Sequence, residues 1–196
     1  AVFRPSEAKW WLRNPAGGSL WRAVFGRAGD IPVPADYDGD FATDTALFRP
    51  STGQWFVRSV SSFSFGQRGD APAPGDYDGD GRAEAAVWRP NGWYVRGITQ
   101  AVIGIAGDVP VPGDYDGDGT CEIALFRPSC GLWQIRGATS FSFGLSGDIP
   151  FPLDYDGDGT AGAGLYRPSE GRWHLHLLTA IYYGIAADQP LAGGEE

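Results

Sequence analysis

The chain repeats itself about every 40 residues, and that period constrains its fold more than any other feature. "DYDGD" begins at Asp36, Asp76, Asp114 and Asp154, at spacings of 40, 38 and 40 residues. A longer unit surrounds it. Arg-Pro pairs start at Arg4, Arg49, Arg89, Arg127 and Arg167, and each is followed by a tryptophan: Trp10, Trp55, Trp93, Trp133 and Trp173. An aromatic-Gly or Ile-Gly pair then begins at Phe25, Phe65, Ile103, Phe143 and Tyr183. Gly-Asp or Ala-Asp ends at Asp30, Asp70, Asp108, Asp148 and Asp188. A fixed period of this length marks propellers, solenoids or arrays. One such unit buries too little apolar surface to fold alone, so the 196 residues read as a single domain spanning 1–196.

Each unit reads as four short strands. In residues 70–109, "APAPGDY" is extended but interrupted by prolines that cannot donate to a ladder, so its strand is brief. "EAAVWRP" alternates as a strand, "WYVR" is a third, and a fourth ends at "VIG". Four strands in about 40 residues is the size of a propeller blade. The columns agree. The second strand opens on a small residue (Ala1, Ala46, Ala86, Ala124, Gly164), continues with an aliphatic one (Val2, Leu47, Val87, Leu125, Leu165) and then an aromatic one (Phe3, Phe48, Trp88, Phe126, Tyr166). Both faces are therefore apolar, as expected of a strand held between neighbouring sheets. The small column predicts close approach of an aromatic ring from the next blade. The predicted fold is an all-β, five-bladed β-propeller. Asp188–Gly193 aligns with Asp108–Gly113, so the C-terminus is expected to give its strand to the first blade and close the ring.

The acidic loops carry the chemistry. Counted from the first Asp, loop two has carboxylates at positions 1, 3, 5 and 9 (Asp76, Asp78, Asp80, Glu84), Gly81 at position 6 and Arg82 at position 7. Asp-x-Asp-x-Asp-Gly is calcium-loop spacing, in which alternate side chains on a curled backbone converge and position 7 offers a carbonyl. Loop three matches it with Asp114, Asp116, Asp118, Thr120 and Glu122. Loop one has Asp36, Asp38, Asp40, Ala42 and Asp44, but Phe41 stands where glycine is wanted. Loop four has Asp154, Asp156, Asp158 and Thr160, but position 9 is Gly162. Loops two and three are thus complete, loop one is expected to be distorted, and loop four to bind most weakly. Up to four Ca²⁺ ions are expected. The alternative is a set of solvated Asx-rich turns with no ion.

Net charge is −9, and 15 of the 24 acids lie in these four loops. Four divalent cations would bring it to about −1. With one lysine and scattered arginines there is no basic patch, which argues against nucleic acid as a partner. No apolar run reaches membrane-spanning length and no segment reads as a signal peptide. Cys121 and Cys130 flank a probable strand and are read as free thiols.

"DYDGDG", the "AVWRP" or "ALFRP" after it, and the "FG" before "GD" together resemble the FG-GAP/VCBS-type repeats of integrin-like bacterial β-propellers, over nearly the whole chain. The resemblance implies blades with a calcium loop between strands one and two, in secreted or cell-surface proteins. Members of that group often have longer repeats and more blades.

Other columns read as structural. The five arginines match five aspartates, which suits an ion pair or an Arg–aromatic stack in each blade better than a ring of anion sites. The tryptophans suit a core column better than sugar platforms. Trp11, Trp21, Tyr182 and Tyr183 break the repeat and are the better candidates for exposed contact. His174 and His176 form a His-x-His pair with no evident third metal ligand. No nucleophile elbow, phosphate loop or H-E-x-x-H is present, so no enzyme is expected. The function expected is a non-enzymatic, calcium-binding extracellular module for adhesion or recognition of a protein or glycan. A carbohydrate-binding lectin, and a self-assembling subunit of a surface structure or filament, remain alternatives.

Overall fold

A computed structural model describes residues 2–4, 6–13, 20–90, 92–138, 140–176 and 181–182. The chain is an all-β, five-bladed propeller of small antiparallel sheets, with no helix among the described residues. Blade one has three described strands, β1 (Val2–Arg4), β2 (Lys9–Arg13) and β3 (Leu20–Val24). Blade two runs β4 (Ile31–Pro32), β5 (Ala46–Arg49), β6 (Gln54–Val57) and β7 (Ser61–Ser64). Blade three runs β8 (Ala71–Pro72), β9 (Ala86–Arg89), β10 (Gly92–Val95) and β11 (Thr99–Ala101), so its last strand stops short of the "VIG" expected to end it. Blade four runs β12 (Val109–Pro110), β13 (Ala124–Arg127), β14 (Leu132–Ile135) and β15 (Phe141–Ser142). Blade five runs β16 (Ile149–Leu153), β17 (Gly162–Arg167), β18 (Arg172–Leu175) and β19 (Ile181–Tyr182). In every blade, strands adjacent in sequence are paired. The closing strand expected at 188–193 lies outside the described residues.

Strand register explains two of the sequence columns at once. Phe48 lies opposite Trp55, Trp88 opposite Trp93, Phe126 opposite Trp133, and Tyr166 opposite Trp173. Such cross-strand aromatic pairs are the unit of sheet stabilisation. Ring centroids sit 5.1 Å apart in the Phe48–Trp55 pair and 5.2 Å apart in Phe126–Trp133. Trp10, Trp55, Trp93 and Trp133 are buried, while Trp173 is half-buried. Trp55 and Trp133 donate their indole N–H to the carbonyls of Phe65 and Phe143, which satisfies the one polar group each ring carries.

Blades pack through their aliphatic column. Val87 of blade three joins the core formed by Phe48 and Trp55 of blade two. Leu125 of blade four packs with Trp88 and Trp93, and Leu165 of blade five with Phe126 and Trp133. The glycine of the aromatic-Gly pair makes room for this contact. A Cβ on Gly104 would lie 2.3 Å from Leu125 Cδ1, and one on Gly144 would lie 2.5 Å from Leu165 Cδ1. One member of the small column departs from expectation. At Gly164 the close neighbour is Tyr155 of the same blade, whose hydroxyl oxygen would sit 2.2 Å from an added Cβ.

The arginine column is structural. Arg49 donates through Nε and Nη2 to the two carboxylate oxygens of Asp30, each at 2.8 Å, and the pairs Arg127–Asp108 and Arg167–Asp148 repeat this fork. Arg89 donates to Asp70 through Nη2 at 2.8 Å. All four aspartates are buried. Burial alone would raise the Asp108 pKa, but the Arg127 hydrogen bonds, the Ile105 N–H and the Arg127 charge together hold it below the usual value. Guanidinium groups also lie over aromatic rings of the next strand, Arg49 on Phe56 at 4.4 Å and Arg89 on Tyr94 at 4.3 Å. Arg4 donates to Glu7, and its repeat counterpart Asp188 lies outside the described residues.

Candidate metal loops

Each acidic loop leaves strand one of its blade and returns in strand two. In loops one to three a single antiparallel bridge closes its base: Ala35–Asp44, Gly75–Glu84 and Gly113–Glu122. The first aspartate organises the turn. Asp76 accepts the Gly79 N–H on Oδ1 at 2.7 Å and the Gly81 N–H on Oδ2 at 2.8 Å. Asp36, Asp114 and Asp154 accept the equivalent pair of N–H groups. At position 3, Asp38, Asp78 and Asp116 each accept the N–H of position 5 at 3.2 Å. Position 5 accepts the N–H of position 7: Ala42 donates to Asp40, Arg82 to Asp80, Thr120 to Asp118 and Thr160 to Asp158. The two threonines add a hydroxyl donor at 2.6 Å. At position 9, Asp44, Glu84 and Glu122 accept the N–H of Tyr37, Tyr77 and Tyr115.

These bonds gather three carboxylates of each loop around one point. Three ligand oxygens lie within 4.8 Å of one another in every loop: Asp36, Asp38 and Asp40; Asp76, Asp78 and Glu84; Asp114, Asp116 and Glu122; Asp154, Asp156 and Asp158. Position 9 therefore joins the tight set in loops two and three. In loop one the set is positions 1, 3 and 5, and Asp44 is outside it. Each set is made of hard carboxylate oxygen, the donor that Ca²⁺ and Mg²⁺ take, so the residues present fit such an ion. The electrostatics separate the positions. Asp36 and Asp154 have lowered pKa values, because the N–H groups they accept outweigh the penalty of burial. Asp44, Glu84 and Glu122 are raised, first by burial and then by the charge of the three other aspartates in the loop. Without a cation, position 9 is the strained member of the cluster.

Phe41 does not reroute loop one. It adopts φ +63° and is 94% exposed, and its N–H reaches Asp36 as the glycines do in the other loops. The expected distortion is thus replaced by local strain on an unchanged path.

A feature the sequence did not reveal joins the loops to one another. In loops two to four the position 8 N–H donates to the position 1 carbonyl of the loop before it: Ala83 to Asp36, Cys121 to Asp76 and Ala161 to Asp114, all at 2.6 Å. The visible signal was that position 8 is Ala or Cys in loops two to four. A larger residue would collide with the preceding loop, since a Cβ on Gly75 would already lie 2.8 Å from Cys121 Sγ. Cys121 and Cys130 are free thiols, and burial pushes Cys121 up to about 12.

The remaining candidates are dispersed. Trp11 is half-buried beneath the Arg4 guanidinium at 4.6 Å, so it belongs to the Arg–aromatic column and is no exception to the repeat. The side chains of Trp21 and Tyr182, and all of Tyr183, lie outside the described residues. His176 stacks on Phe141 at 4.5 Å, whereas His174 lies 3.8 Å from Glu170, and neither enters a metal-ligand cluster among the described residues.

The chain matches no protein-family model, no curated protein and no solved structure. Fold and site together define its class: a five-bladed β-propeller with four acidic loops that can each hold a metal ion.

Proposed function

We propose that the chain is a calcium-stabilised, non-enzymatic propeller of the FG-GAP/VCBS type, serving outside the cell as an adhesion or recognition module. One observation carries this reading. Four loops at the repeat spacing each gather three carboxylate oxygens within 4.8 Å, and in two of them a position 9 glutamate is held in the cluster against its own electrostatics. Evolving such a cluster four times is costly without a cation to neutralise it. The preference for calcium rests on the loop spacing and all-oxygen donor set, and the extracellular setting suits loops whose acids are largely exposed, because extracellular calcium modules work at about 10⁻⁴–10⁻³ M. In this reading the ions pin the connections between strands one and two, and the rigid ring presents its outer surface to a protein or glycan partner.

Thermal melting of metal-stripped protein tests it. Added Ca²⁺ raises the melting temperature in a concentration-dependent way, because an ion that binds only the folded state stabilises it by mass action. Equal concentrations of Mg²⁺ raise it less. The same melting temperature in chelator and in excess Ca²⁺ refutes the reading.

A further inference from the structure

Two neighbouring exceptions to the repeat change one groove. Between blades four and five, a cavity of about 440 Å³ has Tyr115, Phe141, Tyr155 and His176 in its lining, together with the exposed residues Asp156 and Asp158 of loop four. The corresponding groove between blades two and three measures about 260 Å³. Its lining contains Arg82, Glu84 and Arg96, but neither Asp78 nor Asp80. There the chain supplies its own cation: the Arg96 guanidinium lies 4.3 Å from the Phe63 ring centroid.

Three residues differ at equivalent positions. Thr160 stands for Arg82, Gly162 for Glu84, and His176 for Arg96. The backbone is conserved through the change, since Arg96 and His176 make the same N–H bond, to Ala85 and Ala163 respectively. The groove thus loses two guanidinium groups and one carboxylate, grows by about 180 Å³, and gains Asp156 and Asp158 in its lining. His176 keeps a flat ring against Phe141 but is shorter than arginine, which leaves the space beyond it open.

We propose that this groove binds an arginine side chain presented by a partner protein. Charge and shape both select the occupant. Two exposed aspartates in the lining offer acceptors to a guanidinium fork, and aromatic rings offer faces on which a planar, weakly hydrated cation stacks. The groove beside loop two shows the same guanidinium-on-aromatic contact made internally. The missing position 9 carboxylate, which weakens loop four as a cation site, is the change that opens it to the groove. The proposal shares Asp156 and Asp158 with the cation site of loop four and rests on that site being the weakest of the four, whereas loops two and three are tested for calcium separately.

The test is a titration with acetyl-Gly-Arg-Gly-amide, followed by amide chemical shifts in buffer without added calcium. Lysine and citrulline versions of the peptide and a neutral monosaccharide serve as comparisons. The arginine peptide is expected to shift residues around Tyr155, Asp158 and His176, the lysine peptide to bind more weakly, and citrulline to lose about tenfold or more in affinity. His176→Arg, which restores what the four other repeats carry at that position (Arg13, Arg58, Arg96 and Arg136), fills the groove from within and abolishes binding while the melting temperature holds. Asp156→Asn/Asp158→Asn, both on the surface, weakens binding without touching the core. Equal binding of citrulline and arginine, shifts located elsewhere, undiminished binding to folded His176→Arg, or a response to the sugar alone would each overturn the proposal.

Discussion

Replacing Glu84 with glutamine should change stability with opposite sign in the absence and presence of calcium. Glutamine keeps the oxygen that accepts the Tyr77 N–H at 2.9 Å, so local geometry survives and only the charge is lost. Glu84 shares a cluster with Asp76 and Asp78 in which the ligand oxygens are within 4.8 Å. At that separation two unit charges repel by about 0.9 kcal/mol in water and about 3.5 kcal/mol at an effective dielectric of ~20. The site is half-buried, so screening leaves a gain of about 1 kcal/mol for the metal-free variant. The pH dependence follows from the raised Glu84 pKa. A raised folded-state value contributes stability that is present below the unfolded value, about 4.3, and is lost as pH rises through the folded value. The variant's advantage in chelator should therefore be absent near pH 3 and complete by neutrality. With calcium the sign reverses. Losing one carboxylate ligand lowers affinity by about tenfold to a hundredfold. Protein held at a calcium concentration about 100 times its dissociation constant then loses roughly 1.3–2.3 kcal/mol of stabilisation. Urea denaturation at pH 7, in chelator and in calcium, measures both arms. A variant that is destabilised equally under both conditions would show that Glu84 serves the fold alone.

Phe41→Gly should raise metal-free stability by about 0.5–1 kcal/mol, because it relieves a left-handed φ of +63° at an exposed residue; urea denaturation reads the gain. Gly104→Ala should cost about 2 kcal/mol or more, since its Cβ would lie 2.3 Å from Leu125 Cδ1 at a φ of +81°, and thermal melting would detect it. Asp108→Ala should cost about 3–5 kcal/mol by leaving the Arg127 guanidinium and the Ile105 N–H without their acceptor. Because the Asp108 pKa is lowered on folding, the stability it contributes is present above the unfolded value of about 3.9 and is lost as pH falls through the folded one, so wild type and variant should converge in acid.

The blades were legible in the sequence because their columns repeat. Ala46-Leu47-Phe48 and its equivalents placed strand two, and the Asp-x-Asp-x-Asp spacing placed the loops between the first two strands. The paired arginines and aspartates were legible for the same reason. Contacts between repeats were not, because they depend on how one blade sits on the next. The aromatic-Gly pair shows its purpose only once Leu125 is seen against Gly104, and position 8 only once Cys121 is seen donating to Asp76. Trp11 looked irregular because its column changes residue in every blade, to Phe56, Tyr94, Gln134 and His174, and only the contact with the preceding arginine ties Trp11, Phe56 and Tyr94 together. Phe41 pointed to a distorted loop one, whereas the structure keeps the loop's path and its Asp36 hydrogen bond with Phe41 at a left-handed φ.

The central claim is that the acidic loops hold calcium, and a crystal structure grown with excess Ca²⁺ addresses it most directly. The account predicts ion density among Asp76, Asp78 and Glu84 and among Asp114, Asp116 and Glu122, with oxygens at about 2.3–2.6 Å, and lower occupancy at Asp154, Asp156 and Asp158. Water alone in loops two and three, with the carboxylates placed as they are without metal, would contradict it.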